Sequence, residues 1–255
     1  MAREYQPMSR MNCDSLWRML VLLLCALPSH GARCENDYAA QRQRMIDDIA
    51  AVARAAGAES GKPTIASGVI AAMAKVPRHN FVPADQERFA YDNRPLPIGY
   101  GQTISQPYIV ALMTDLMRVE PNHTVLEIGT GSGYQAAILA ELAKDVCTIE
   151  IVEPLATEAQ RRLREQGYGR VRAKVGDGYY GWEDCGPFDS IIVTAAASHV
   201  PPLLIRQLKA GGRIVVPVGT AFLTQHLLLV EKKTDGSIVT RQILPVRFVP
   251  LTGGH

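Results

Sequence analysis

The sequence predicts an α/β fold: a doubly wound, mostly parallel sheet with an N-terminal helical cap and a C-terminal antiparallel hairpin. Three observations predict it. Thr124 to Ile128 is an apolar run, followed by the turn Gly129-Thr130-Gly131-Ser132-Gly133 and a helical stretch from Gln135 to Ala143, the opening of a βαβ unit. Strand-like and helix-like segments then alternate as far as Val218, the pattern of a parallel sheet covered by helices. Two alternating runs, His226 to Lys232 and Ile238 to Leu244, are joined through Asp235-Gly236, which is hairpin turn chemistry.

Length and composition bound the rest. A chain of 255 residues, 47% of them hydrophobic, makes one large domain or two small ones with a full core. The net charge of +2 and the lack of a Lys/Arg-rich block argue against a nucleic-acid surface. The six histidines and five cysteines show no metal-ligand spacing and no C-x-x-C pair, so no metal is expected. Cys34, Cys147 and Cys185, the cysteines past the first 33 residues, are odd in number and support no complete disulfide framework.

The first 33 residues read as a leader. Arg10 and Arg18 precede the apolar run Met19 to Leu27, and Pro28 with the small residues Ser29, Gly31 and Ala32 follows, a signal-like order too short to span a bilayer. Met11 is an alternative start. Residues 34–255 form a single domain, divided into a helical and substrate-facing cap (34–108) and a core (109–255). Within the cap, Asp37 to Ala56 is an amphipathic helix with Met45, Ile46, Ile49, Val52 and Ala56 along one face, and Ile65 to Val76 is a second helix stopped by Pro77. Arg78 to Pro83 and Tyr91 to Gly99 read as loops, and a helix runs from about Ile109 to Met117. In the core, strands are expected at Val146 to Glu150, Val171 to Val175, Phe188 to Val193 and Arg213 to Val218, with helices at Pro154 to Gln166 and Pro202 to Leu208.

Several residues in this frame carry chemistry. The turn reads acidic-x-G-x-G-x-G, opened by Glu127, and Tyr134 occupies the third-glycine position of a dinucleotide site, which weakens a nicotinamide reading. A carboxylate this close to the turn repels a pyrophosphate but suits a cationic ligand with an amino group, the arrangement of S-adenosylmethionine sites. Glu150 ends the next strand 19 residues past Gly131, where a ribose-binding carboxylate is expected. Gly176-Asp177-Gly178 follows the third strand at the edge where open α/β sheets bind ligands, and can offer Asp177 to an adenine amino group. Ser105 lies just before a helix. There it either caps free N–H groups or presents a hydroxyl to an anionic substrate group.

With these segments placed, the chain resembles the bacterial protein-L-isoaspartate O-methyltransferases from about Ile65 to Leu251. The resemblance rests on Pro77-Arg78 with Phe81-Val82, Leu96-Pro97-Ile98-Gly99, Gly101-Gln102-Thr103-Ile104-Ser105-Gln106-Pro107, the glycine turn, Gly176-Asp177-Gly178, Val193-Thr194-Ala195-Ala196 and Arg247-Phe248-Val249-Pro250-Leu251. It implies a Rossmann-like class I methyltransferase fold and methyl transfer from S-adenosylmethionine to the α-carboxyl of L-isoaspartyl residues, the first step of their repair. It also implies Ser105 as the active-site hydroxyl. The methionine part is implied at Glu127, Gly129, Thr130, Gly131, Ser132 and Gly133, the ribose at Glu150, the adenine at Asp177 and Gly178, and the peptide cleft at Ile104, Val246, Arg247 and Phe248. The implied partners are isoaspartyl-containing peptides and proteins, with no nucleic acid and no stable membrane span, and the protein itself is expected to be a monomer. Cofactor supply implies the cytoplasm, and export through the 10–32 leader is the alternative. A methyltransferase with another acceptor is the rival reading. Amino-group methylation typically uses an Asn/Asp-Pro-Pro-aromatic motif where this chain has Val193-Thr194-Ala195-Ala196. One departure from the family is Ile151, where a basic residue usually follows the ribose carboxylate.

Overall fold

The computed structural model describes residues 30–220 and 224–254, with side chains from Asp37 onward. The leader-like segment up to residue 29 lies outside the described residues. The chain divides into two compact units, Met1–Ala40 and Gln41–His255. Of the first, the structure describes the opening of helix α1 (His30–Ala55), which begins before the expected Asp37. In the second unit the same helix buries Met45, Ile49 and Ala53, one face at four-residue spacing.

Helices α2 (Gly57–Ser60) and α3 (Ser67–Lys75) follow, and 3-10 turns occupy Arg78–Phe81 and Ala84–Phe89. The end of the Tyr91–Gly99 stretch, expected as loop, instead forms β1 (Leu96–Gly99), which pairs antiparallel with β2 (Gln102–Ile104). Its turn has Gly99, Tyr100 and Gly101 at φ of 94°, 53° and 71°, so the flanking glycines, which punctuate the sequence as loop, are what let the strands reverse. Next come α4 (Pro107–Met117), β3 (Thr124–Ile128), α5 (Tyr134–Leu142), β4 (Asp145–Glu150), α6 (Glu153–Glu165) and β5 (Arg172–Val175). The chain continues through β6 (Phe188–Val193), α7 (Pro202–Gln207), β7 (Leu208–Val218), β8 (Gln225–Lys232) and β9 (Ile238–Val246).

The main sheet has the order β5-β4-β3-β6-β7-β8-β9, parallel through β7 and antiparallel at β7–β8 and β8–β9. The expected doubly wound sheet with a terminal hairpin is therefore present. Val125, Leu126, Ile128, Ile149, Ile191, Ile192, Val193, Ile214 and Val215 are at most 1% exposed, as strands covered on both faces require. Strand β7 starts at Leu208 rather than Arg213, because the first stretch pairs at Phe188↔Leu208 before an irregularity that absorbs Gly211-Gly212. Chain order reverses between β3 and β6. The crevice outside the carboxyl ends of these two strands is the natural ligand position.

Two findings were not readable from spacing. Cys147 in β4 and Cys185 lie side by side with Cα atoms 6.6 Å apart, so the fold brings together two of the three cysteines that suggested no framework. Asp115, near the end of α4, is 5% exposed, accepts the Ala66 N–H at 2.9 Å and pairs with Lys62 at 2.5 Å, tying the entry to α3 onto the core. Replacing Asp115 with Ala leaves that N–H without its acceptor and frees the partly exposed Lys62 ammonium to water, and urea unfolding is expected to show a loss of about 1–3 kcal/mol.

Candidate active site

The site is assembled at the switch point. Apolar strand β3 runs straight into the glycine turn, and Gly129, Gly131 and Gly133 adopt φ of 93°, 52° and 89°, which side-chain-bearing residues rarely tolerate. A Cβ on Gly129 would strike Thr194 Oγ1, and one on Gly131 would lie 3.2 Å from Ile98 of the β1–β2 hairpin. Gly133 instead faces α6, where a Cβ would meet Leu163 at 3.2 Å, and it does not line the cavity.

Beneath the turn, Glu127 is completely buried. Its Oε2 accepts the Thr148 hydroxyl at 2.6 Å, while Oε1 has no partner. Thr148 and Thr130 hydroxyls lie 2.6 Å apart, and because Thr148 spends its proton on Glu127, Thr130 is the donor of that pair. Burial pushes the Glu127 carboxyl up to about 8. A dry carboxyl with one bare oxygen beside a glycine cradle is an unmet demand for a hydrogen-bonding cation.

Around this cradle lie two cavities and a cleft. One cavity is bounded by Ile104, Ser105, Glu127, Gly129–Ser132, Tyr134 and Gln135. Its neighbour is bounded by Gln102, Glu150, Ile151, Gly178, Thr194 and Val249–Thr252, among others. Glu150 receives the Gly131 N–H on Oε2 at 2.8 Å and the Val152 N–H on Oε1 at 2.9 Å, which fixes both oxygens and leaves each a lone pair for a ligand. Asp177 accepts the N–H of Tyr179 at 2.9 Å and of Gly254 at 3.1 Å, and unlike Gly178 it does not border the cavity. The cleft, of about 450 Å³, is lined by Ser105, Gln106, Ile109, Thr194 and Pro245–Val249, which brings Val246, Arg247 and Phe248 together with the serine. Ile104 reaches the first cavity rather than this cleft.

Ser105 belongs to both the first cavity and the cleft. It does not cap α4: the N-cap residue is Gln106, with Pro107 at the first helical position, and Asn93 Oδ1 accepts the Tyr108 N–H at 3.1 Å. Its hydroxyl has no hydrogen-bond partner among the described residues.

Sequence reading missed three groups. Thr194 lines all three spaces, and its hydroxyl lies 2.7 Å from the Gly129 carbonyl, which it holds. Thr148 sustains Glu127; its position three residues into β4, level with Glu127 in the register, was the available signal. Residues 249–252 wall the second cavity because Ala196 donates to the Val249 carbonyl and Leu251 donates to the Ala196 carbonyl, each at 2.8 Å. No group of three His, Cys, Asp or Glu among the described residues could hold a metal ion, and no helix among them is long and apolar enough to cross a membrane.

Comparison with known proteins gives the family. Residues 61–255 match the family model described as protein-L-isoaspartate(D-aspartate) O-methyltransferase. The chain is 62% identical over 237 residues to protein-L-isoaspartate O-methyltransferase 1 of Cupriavidus necator, covering 93% of this chain and 92% of that one. It is 66% identical over 209 residues to protein-L-isoaspartate O-methyltransferase 2 of a Polaromonas species, covering 82% and 99%. The chain belongs to the protein-L-isoaspartate O-methyltransferase family. A solved protein-L-isoaspartate O-methyltransferase superposes with a TM-score of 0.71 at 28% identity, over 82% of this chain and 66% of that one. A Plasmodium falciparum structure given the same family name, solved with S-adenosyl-L-homocysteine, shares the fold with a TM-score of 0.70 at 23% identity, over 83% and 98%. The family is S-adenosylmethionine-dependent.

Two tests follow from this geometry. Glu127 has a folded-state value of about 8 against an ordinary 4.5, so between these values the folded protein holds a proton that the unfolded chain has lost. Stability of the ligand-free protein is expected to fall as pH rises across that window, and Glu127→Gln to remove this contribution, as read by chemical denaturation at pH 5 and pH 8. In Gly178→Ala the new methyl would collide with Ile128 Cγ2, and urea unfolding is expected to show a loss of about 1–3 kcal/mol.

Proposed function

We propose that the chain transfers the methyl group of S-adenosylmethionine to the α-carboxyl of L-isoaspartyl residues in peptides and proteins, with Ser105 orienting that carboxyl. The observation that carries the assignment is the position of Ser105, whose uncommitted hydroxyl borders both the Glu127 cavity and the cleft lined by Val246–Val249.

The residues fit the cofactor's chemistry. Glu127 Oε1, buried and bare, accepts the ammonium of the methionine part, and the glycine turn allows the backbone to approach it. The remaining lone pairs of Glu150 face the ribose, and Gly178 lies where the adenine enters. Asp177, already holding two N–H groups, serves the adenine end by shaping this turn and through whatever lone pairs remain. S-adenosylmethionine, when bound, supplies a methyl group on a sulfonium that departs as a neutral thioether. The acceptor carboxyl, with an ordinary value near ~4, is already ionised at neutral pH, so the chain needs no general base. What remains for the protein is alignment, holding acceptor oxygen and methyl carbon about 3–3.5 Å apart and in line. Ser105 donates a hydrogen bond to one carboxylate oxygen and leaves the other to attack, and Ile104 with Val246–Phe248 fixes the flanking peptide. The neighbouring backbone amide nitrogen then attacks the ester carbonyl and expels methanol to form a succinimide, and water opens this ring to a mixture that includes the normal aspartyl linkage.

Cofactor supply assigns the reaction to the cytoplasm and the protein acts as a monomer; fractionation of cells expressing the full chain, with N-terminal sequencing, tests this against export through residues 10–32. The reaction is tested with labelled S-adenosylmethionine and two peptides that differ only in one L-isoaspartyl or L-aspartyl linkage. Base-labile label on the isoaspartyl peptide alone is expected, and label on neither peptide with cofactor still bound overturns the acceptor. Ser105→Ala is expected to lower kcat/KM by about 10- to 100-fold with S-adenosylhomocysteine affinity unchanged, the cost of one hydrogen bond to a charged group. Binding of a cationic ligand at pH 7 is expected to release a proton from Glu127, seen as a buffer-dependent heat in calorimetry, and Glu127→Gln to abolish that dependence.

A further inference from the structure

Arg78 is the largest fully buried side chain of the described core, at 0% exposure. It stands in the 3-10 turn after Pro77, a motif noted in the sequence that the reaction has so far left unused. Its Nε donates to the Ala90 carbonyl and its Nη2 to the Ser105 carbonyl, both at 2.7 Å. Its guanidinium carbon sits 4.9 Å from the ring centroid of Tyr134, the first residue of α5. Nη1 is buried with no hydrogen-bond partner, and no carboxylate pairs with the guanidinium among the described residues. Burial lowers it to about 10, which still leaves it charged at neutral pH.

This arrangement is costly as packing. A buried cation without a counter-ion is worse for stability than an aliphatic side chain of the same volume. What the guanidinium accomplishes is local. Ser105 lies in two irregular residues between β2 and α4, so nothing in a helix or strand ladder fixes its peptide unit. The Arg78 bond does, and it pins that carbonyl to the end of the Ala84–Phe89 turn and to the foot of α5. A charge-assisted bond to the carbonyl also polarises the Ser105–Gln106 peptide, making the Gln106 N–H a better donor. Gln106 lines the same cleft as Ser105.

We propose that Arg78 is a positioning residue for the transfer: it locks the Ser105–Gln106 peptide so that hydroxyl and N–H face the acceptor carboxylate, and its unneutralised charge favours an anion there. The inference rests on the reading of Ser105 given above, and wild-type turnover with the isoaspartyl peptide tests that reading separately. If the wild type does not label that peptide, the parent reading fails first.

The test is a double-mutant cycle in the full chain with Arg78→Met, Arg78→Lys, Ser105→Ala and the Ser105→Ala/Arg78→Met double variant. Assays are run well below the lowest melting midpoint, with kcat and KM for the isoaspartyl peptide and Kd for S-adenosylhomocysteine measured on each. Arg78→Met is expected to lower kcat/KM by about 10- to 100-fold while Kd stays within about threefold, and Arg78→Lys to recover part of the loss by keeping the charge. The double variant is expected to fall clearly less than the product of the two single penalties, because both changes disable the Ser105 hydroxyl, while Arg78→Met also loosens the Gln106 N–H and removes the charge. Should Arg78→Met fail to fold, Arg78→Gln, which keeps a donor and drops the charge, takes its place in the cycle. Penalties that multiply in the double variant, cofactor binding that falls in step with turnover, or a Lys variant no better than Met would each overturn the proposal and leave Arg78 a structural residue.

Discussion

The carboxyl group of Glu127 sets the terms for the rest of the molecule. It ends an apolar strand at the one place where the sheet changes direction, inside a layer no water reaches, with one oxygen held by Thr148 and the other bare. Such a group is tolerable only where a ligand completes it. The glycine turn keeps backbone bulk away from it, Thr194 holds the first carbonyl of that turn, and Glu150 grips the Gly131 N–H from the next strand. Each of these contacts keeps the turn open above a carboxyl whose second oxygen has no partner inside the protein.

The same arrangement separates two kinds of work. Strand ends β3, β4 and β6 border the two cavities, and irregular segments, namely the residues after β2 and the chain after β9, close these cavities and line the cleft. A sheet fixes its ends through many parallel hydrogen bonds, whereas irregular chain has to be fixed individually. Asn93 on the first turn of α4 and Arg78 on the Ser105 carbonyl are those individual fixings.

Much of this was legible in the sequence, and the limits have physical causes. The run Thr124 to Ile128 could be read as a buried strand because both faces of a parallel sheet demand apolar residues, and the turn that follows could be read because only glycine accepts its backbone angles. The β1–β2 hairpin was read as loop, since its Pro97, Gly99 and Gly101 carry the same letters whether the chain turns once or wanders. Ser105 could be placed near a helix start but not distinguished from a cap, because that depends on Asn93, twelve residues upstream, occupying the capping role. Gly133 belongs to the glycine pattern, yet it serves the packing of α6 against the turn; the pattern alone does not say which side of the backbone is crowded. The part Thr148 plays, and the place of the Val249-Pro250-Leu251 motif on a cavity wall, were not readable, because they come from register and from a long return of the chain.

That return of the chain bears on when the protein can first work during its synthesis. Val249 to Thr252 wall the cavity beside Glu150 and are stitched to Ala196 by two backbone hydrogen bonds. A nascent chain that has released everything through β7 has Glu127, Glu150 and Ser105 in hand, but one side of that cavity still stands open to water. The wall arrives only when the segment after β9 leaves the ribosome. The segment made after β9 thus completes the enclosure, and a chain cut short there would lack one wall of the cavity beside Glu150.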